Sequence, residues 1–371
     1  MKNMKKSMFL AAVAAMVLAG CTKDESIVEQ QEIGFQPLAY KASQTKANVI
    51  TGATYGTDAP SFGLFAYQLA DGKTFDTDKA DAKLYIDNKE VSYESGNWRT
   101  NPKSFWPLQG SLTFVAYSPY SINQYVDYSI NVVNGNAGNV ASANSVLTIS
   151  NFEAGTTVQK DLMWSTHTED KTANDTNYDA DGQNTTTYNG VPILFNHALC
   201  RIKITAKTAE DYSGFATYNL KQIQVVGLKD NATLTVTNDE AVWSDALSTT
   251  LGDFDFYNDN QLLTKDSEPV IYKNAETAGN GLLAIPQSLD GVTLKVTYTM
   301  TVDPDGNGSA SAVVTETTKD VVLKTGTLIK LDQNKVYTLN LSISANEILY
   351  SPDVVAWDET GSGDYTVPEV Q

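Results

Sequence analysis

Cysteine, histidine and arginine are nearly missing: each occurs only twice in 371 residues. A Cys- or His-rich zinc site is therefore not expected, since one site would need every Cys and His in the chain. Basic residues are scarce overall, with 26 Lys plus Arg against 44 Asp plus Glu and a formal charge of -18. Proteins held on nucleic acid by phosphate neutralisation need a basic surface, so no nucleic-acid partner is expected. No glycine-rich loop follows a strand and opens a helix, as a nucleotide site requires. Apolar recurrence at i, i+3, i+4 and i+7 is nowhere sustained for three turns, so long helices are not expected either. The long apolar run of a membrane helix is also lacking. Neither a cofactor nor a metal is expected, and no enzyme class is supported.

Period-2 alternation is what the chain has in quantity. Aromatics make up 10% and charged residues only 19%, the balance of a folded β-rich chain rather than a disordered acidic one. Strands are expected at Ile33–Leu38, Phe62–Tyr67, Leu112–Tyr117, Val146–Phe152 and Leu162–Ser165. Further strands are expected at Val191–Phe195, Arg201–Ala206, Tyr218–Val226, Ala232–Val236, Gly281–Ile285 and Val336–Ile343. Asp87-Asn88-Lys89 reads as a hairpin turn between Lys83–Ile86 and Val91–Tyr93. Asp303 to Gly308 reads as a turn joining Val292–Val302 to Ala312–Leu323. The twelfth position of that segment is Val314, where a calcium loop needs a bidentate Glu. The fold class expected is all-β, built of sandwiches. The polar stretch 166–190 sets an expected domain boundary near 190.

The first twenty residues read as a signal peptide. Met1–Lys6 is basic, Ser7–Leu18 is apolar but short for a membrane span, and Leu18-Ala19-Gly20-Cys21 follows. Those four residues resemble a bacterial lipobox, which implies cleavage between Gly20 and Cys21 and acylation of Cys21. Lipid chains at Cys21 would anchor the precursor to the outer membrane, at about 0.8 kcal/mol per buried CH₂. With Cys21 so used, Cys200 is left as a buried small hydrophobe. His197 lies three residues from it, on the opposite face of a strand, so the two do not form a nucleophile–base pair.

His167 stands among Thr166, Glu169, Asp170 and Lys171 and reads as a solvated histidine. Tyr117, Tyr120, Tyr125 and Tyr128 crowd a segment with Pro119, Ser and Asn. On a loop they could stack on sugars or on a host protein; cross-strand packing is the competing account.

Several segments together are similar to fimbrillin-like proteins of Bacteroidales, the subunits of type V pili. They are the lipobox, Ile33-Gly34-Phe35, Phe62–Tyr67, Trp106-Pro107 through Pro119, and Asp161-Leu162-Met163-Trp164. Val191–Ile202, Leu283–Gln287 and Lys335–Leu341 continue the pattern in order. The resemblance implies two transthyretin-like β-sandwich domains in tandem, at 47–190 and 191–371, behind a signal peptide (1–20) and a lipidated leader (21–46). It implies a surface fimbrial subunit supporting adhesion, with neighbouring subunits and a trypsin-like maturation protease as partners. The cut would follow Lys46, or else Lys41, since Arg99 and Arg201 are the only arginines. The strand removed would carry Ile33, Phe35 and Leu38, and a donor strand with Tyr365, Val367 and Val370 would replace it. His197 and Trp164 would be packing and turn residues. The alternative is a monomeric surface lipoprotein that binds glycans or host proteins through the tyrosine-rich segment.

Overall fold

Alternating burial runs through several of the longer strands, as at Cys200–Thr208, where every second residue is buried. A computed structural model describes residues 30–39, 61–133, 142–154, 161–175, 190–244, 254–266, 269–270, 281–304 and 312–357. The chain runs through β1 (Phe35–Ala39), β2 (Phe62–Leu69), β3 (Lys83–Glu94), β4 (Asn97–Thr100) and β5 (Ser111–Ser118). Next come β6 (Val126–Val133), β7 (Ser142–Glu153), β8 (Met163–Ser165), β9 (Thr168–Lys171) and β10 (Val191–His197). Then follow β11 (Cys200–Thr208), β12 (Ala216–Val226), β13 (Asn231–Thr237), β14 (Glu240–Trp243), β15 (Phe254–Leu263) and β16 (Pro269–Val270). The last are β17 (Leu282–Ala284), β18 (Thr293–Val302), β19 (Val313–Val322), β20 (Lys335–Ile343) and β21 (Ile348–Ala356).

Eight strands form one sheet in the order β2-β3-β4-β1-β10-β8-β5-β9, and β2 also pairs with β5, so the sheet closes on itself. Its interior holds Ile33, Phe35, Leu38, Phe62, Trp98, Phe114 and Phe195 among others. β5 is buried along its whole length because it separates two cores. Leu112, Phe114 and Ala116 face the ring interior, while Val115 and Tyr117 face a second core outside it. A continuous apolar run is what a strand covered on both faces requires.

The later strands form a sandwich. One sheet centres on β11, paired with β16, β17 and β20, with β21 beyond β20; the other has the order β15-β12-β18-β19. Their inward faces share one core that includes Ile204, Tyr218, Val296 and Leu339. β18 and β19 pair in unbroken register from Thr293↔Val322 to Val302↔Val313, as a hairpin.

One finding corrects the sequence expectations. Lys83–Glu94 is one strand rather than a hairpin, with Asn88 held at φ 41 within it. The turn lies further on, at Ser95 (φ 50) and Gly96 (φ 91), the left-handed pair a tight hairpin needs. The ring sheet continues a few residues past 190. β10 pairs with β1 and β8 of the ring, and β11 opens the sandwich only after Ala198 and Leu199. β13 and β14 leave the sandwich and join β7 and β6 in a sheet of order β14-β13-β7-β6. That sheet covers the core containing Phe65, Tyr128, Leu234, Leu283 and Trp357, which ties early and late parts of the chain together.

Candidate functional site

The groove that holds β1 is the feature on which the functional reading turns. β1 pairs in parallel with β10 through five residue pairs, from Phe35↔Val191 to Ala39↔Phe195. On its other side a single pair, Phe35↔Trp98, joins it to β4. Ile33, Phe35 and Leu38 point inward and are almost wholly buried. The Phe35 ring meets Phe114 edge-on at 5.7 Å and Phe62 at 6.5 Å. Each such side chain contributes ~1.5–3 kcal/mol on leaving water.

Backbone bonds extend the grip beyond the strand. Ile33 N–H donates to Ser104 O (2.9 Å), Trp106 N–H to Gln31 O (2.9 Å) and Val191 N–H to Gly34 O (2.8 Å). Gly190 lies at φ +128, and a Cβ there would fall 2.7 Å from the Gly34 carbonyl carbon. Only glycine allows this close approach. Glu32 closes the mouth: its carboxylate meets Lys103 Nζ at 2.7 Å and Arg99 Nη1 at 3.6 Å.

Elsewhere His167 is placed differently from expectation. His167 is not solvated: its side chain is 5% exposed, with Phe75 and Tyr128 against it at 5.1 and 5.9 Å between rings. Its Nδ1 faces Asp239 Oδ1 at 2.6 Å, so that nitrogen holds the proton. Nε2 then accepts from the Tyr128 hydroxyl, also at 2.6 Å. Burial pushes the Tyr128 phenol up, so it stays a donor. Asp239 sits in the β13–β14 turn at φ 67, which makes the triad a clamp between the bridging sheet and the segment after β8. It was illegible in sequence because the partners lie 39 and 72 residues from His167.

The four tyrosines do not form a stacking platform. Tyr117, in β5, and Tyr128, in β6, are core residues; Tyr120 is half-buried and Tyr125 exposed. The Tyr117 hydroxyl donates to Asn88 Oδ1 at 2.6 Å, and that of Tyr120 to Asn88 O at 3.4 Å. Cys200 is buried, with its thiol directed to Ala284 O at 3.3 Å and pushed up by burial. His197, at the end of β10, bonds Asp161 through Nδ1 at 3.0 Å and lies against Trp357. A cleft of about 640 Å³ between β14 and the 286–290 and 324–333 loops contains Val242, Ile329 and two ion pairs, Lys324–Asp290 and Lys330–Asp332. No cluster of metal-ligating side chains occurs among the described residues. Gly20, Cys21, Lys41, Lys46, Tyr365, Val367 and Val370 lie outside the described residues.

The family model for fimbrillin-like proteins matches residues 45–357. The chain belongs to the fimbrillin-like family. That is a family of fimbrial structural proteins rather than of enzymes, and it places the chain with proteins of the fimbrium and cell surface. A crystal structure of a fimbrial protein from Bacteroides vulgatus superimposes with a TM-score of 0.59 at 19% identity, covering 88% of this chain and 100% of that one. At this identity the likeness shows a common fold. A proposed cell adhesion protein from Bacteroides uniformis aligns at 16% identity with a TM-score of 0.46, over 88% of this chain and 99% of that one. No curated protein sequence matches. The fimbrillin-like match begins beyond β1 and ends at Trp357, so the strand in the groove and the carboxy-terminal segment both lie outside it.

Proposed function

We propose that this fimbrillin-like protein is a structural subunit of a surface fimbria supporting adhesion, exported as a lipoprotein and joined to its neighbours by exchange of β1. The observation that carries this reading is β1 itself. It is an internal strand of a closed sheet, yet it reaches the rest of the chain only through residues 40–60, which contain Lys41 and Lys46. A trypsin-like cut after Lys46, or after Lys41, would free the lipidated leader from Cys21 onward together with β1. The sheet would then open between β4 and β10 and expose the sockets of Ile33, Phe35 and Leu38. Leaving them in water is unfavourable, so an extended segment of a neighbour, carrying Tyr365, Val367 and Val370, would be drawn in by strand addition. Head-to-tail contacts of this kind do not close and therefore make a filament.

The second reading, a monomeric lipoprotein binding glycans or host proteins, loses Tyr117 and Tyr128 to the core. Intact mass and size exclusion after tryptic processing separate the two readings. An amino terminus at Ala47 with a ladder of multimers is expected. A processed monomer that keeps β1 would sink the exchange reading.

A further inference from the structure

We propose that Arg99 and Lys103 form a carboxylate-reading mouth of the β1 groove that sets the register of the incoming strand by pairing with Asp364 of a second copy of this chain. The inference rests on the strand-exchange reading above and adds what that reading lacks, a rule for alignment. The sockets discriminate by side-chain fit alone: slipped by two, they would receive Gly363, Tyr365 and Pro368 in place of Tyr365, Val367 and Val370. Side chains of a strand alternate with period 2, so a slip of two residues keeps the same face inward. Tyr365 could enter the Ile33 socket, or it could enter the aromatic Phe35 socket beside Phe62 and Phe114.

Charge separates the two registers. Glu32, one residue before the first socket residue, carries the carboxylate held by Lys103 and Arg99. Once β1 leaves, both cations remain at the mouth without it. Arg99 also has a buried Nε with no hydrogen-bond partner among the described residues, and its planar fork suits a carboxylate. The occupant segment Glu32-Ile33-Gly34-Phe35-Gln36-Pro37-Leu38 and the distal segment Asp364-Tyr365-Thr366-Val367-Pro368-Glu369-Val370 share one pattern. Each has an acid first, then apolar side chains one, three and six residues later. In that alignment Asp364 takes the place of Glu32, and Tyr365, Val367 and Val370 take those of Ile33, Phe35 and Leu38. Slipped by two, Ser362 would face Arg99 and Lys103 and leave two cations at the mouth unmatched.

A zero-length carbodiimide cross-linker tests this on the full chain, read by peptide mass spectrometry. Before processing, Lys103 should link to Glu32; after processing and assembly, it should link to Asp364 of another subunit. Mixing experiments give a second readout. An acceptor with Arg99→Glu and Lys103→Glu should incorporate unmodified subunits at least tenfold more slowly. Subunits with Asp364→Lys should restore that rate to within about threefold. Multimers in which Lys103 links to Asp358, Glu359 or Glu369 instead, or to no acid, would overturn the register rule while leaving exchange standing. Absence of multimers from the unmodified processed chain would overturn exchange itself, and the rule with it.

Discussion

The His197 imidazole lies flat on the Trp357 indole, with ring centroids 3.9 Å apart and planes within 4°. The Arg201 guanidinium also stands over the indole, 4.1 Å from the ring centroid. The contact joins the end of β10, a wall of the β1 groove, to the residue just after β21. Trp357 is fully buried, and its backbone N–H donates to Asn334 O at 3.1 Å. The point from which the carboxy-terminal segment departs is thus pinned to the strand that pairs with β1.

Trp357→Ala should therefore cost about 3–5 kcal/mol, as expected for a large aromatic removed from a core. Trp357→Phe should cost clearly less, because it keeps an aromatic face for His197 and Arg201. Urea unfolding of the full chain measures both. Equal losses would show that stacking contributes nothing beyond volume.

Asp239→Ala should destabilise the protein by about 1–3 kcal/mol, the cost of leaving a buried donor, His167 Nδ1–H, without an acceptor. Tyr128→Phe removes one donor to Nε2 and should cost about 1 kcal/mol. In the double variant the losses should not add, since all three groups form one chain. Denaturation midpoints of the two single variants and the double variant decide it.

Alkaline pH should unfold the protein through its buried phenols. Desolvation pushes Tyr337 up to about 12, and Tyr117 and Tyr128 also upward. A phenol with a folded pKa above its unfolded value favours the native state below about pH 10, near the ordinary value. That contribution is lost as pH rises through the folded value, so stability should fall between about pH 10 and 12. Tyr337→Phe should flatten the slope in this window while losing the bond from Asp332 N–H, 2.7 Å long. Thermal melts against pH, beside phenolate absorbance, provide the check.

Gly190→Ala should loosen β1 selectively. Its Cβ would press on the Gly34 carbonyl at a φ that side chains rarely adopt. Amide exchange at Phe35–Ala39 should quicken at least tenfold, while that of β18 and β20 stays within about threefold. Uniform acceleration throughout the chain would instead indicate a general loss of stability.

Much of this was legible in local pattern. Alternation located β2, β7, β10, β11, β18 and β20, and the strongly apolar content of Leu112–Tyr117 located β5. Leu112–Tyr117 could be read because its composition reports burial directly. β6 and β14 were missed, being short or half-polar and stabilised mainly by the strands beside them.

Sequence by itself determined the all-β class, the burial of Cys200 and the presence of a strand at Ile33–Leu38. Only the tertiary structure decided that Lys83–Glu94 is one strand, that β13 crosses to pair with β7, and that His167 is buried between Tyr128 and Asp239. Alternation tells which face of a strand is apolar, but it does not name the edge that pairs with it. That choice is made by contacts tens of residues away, which side-chain period does not encode.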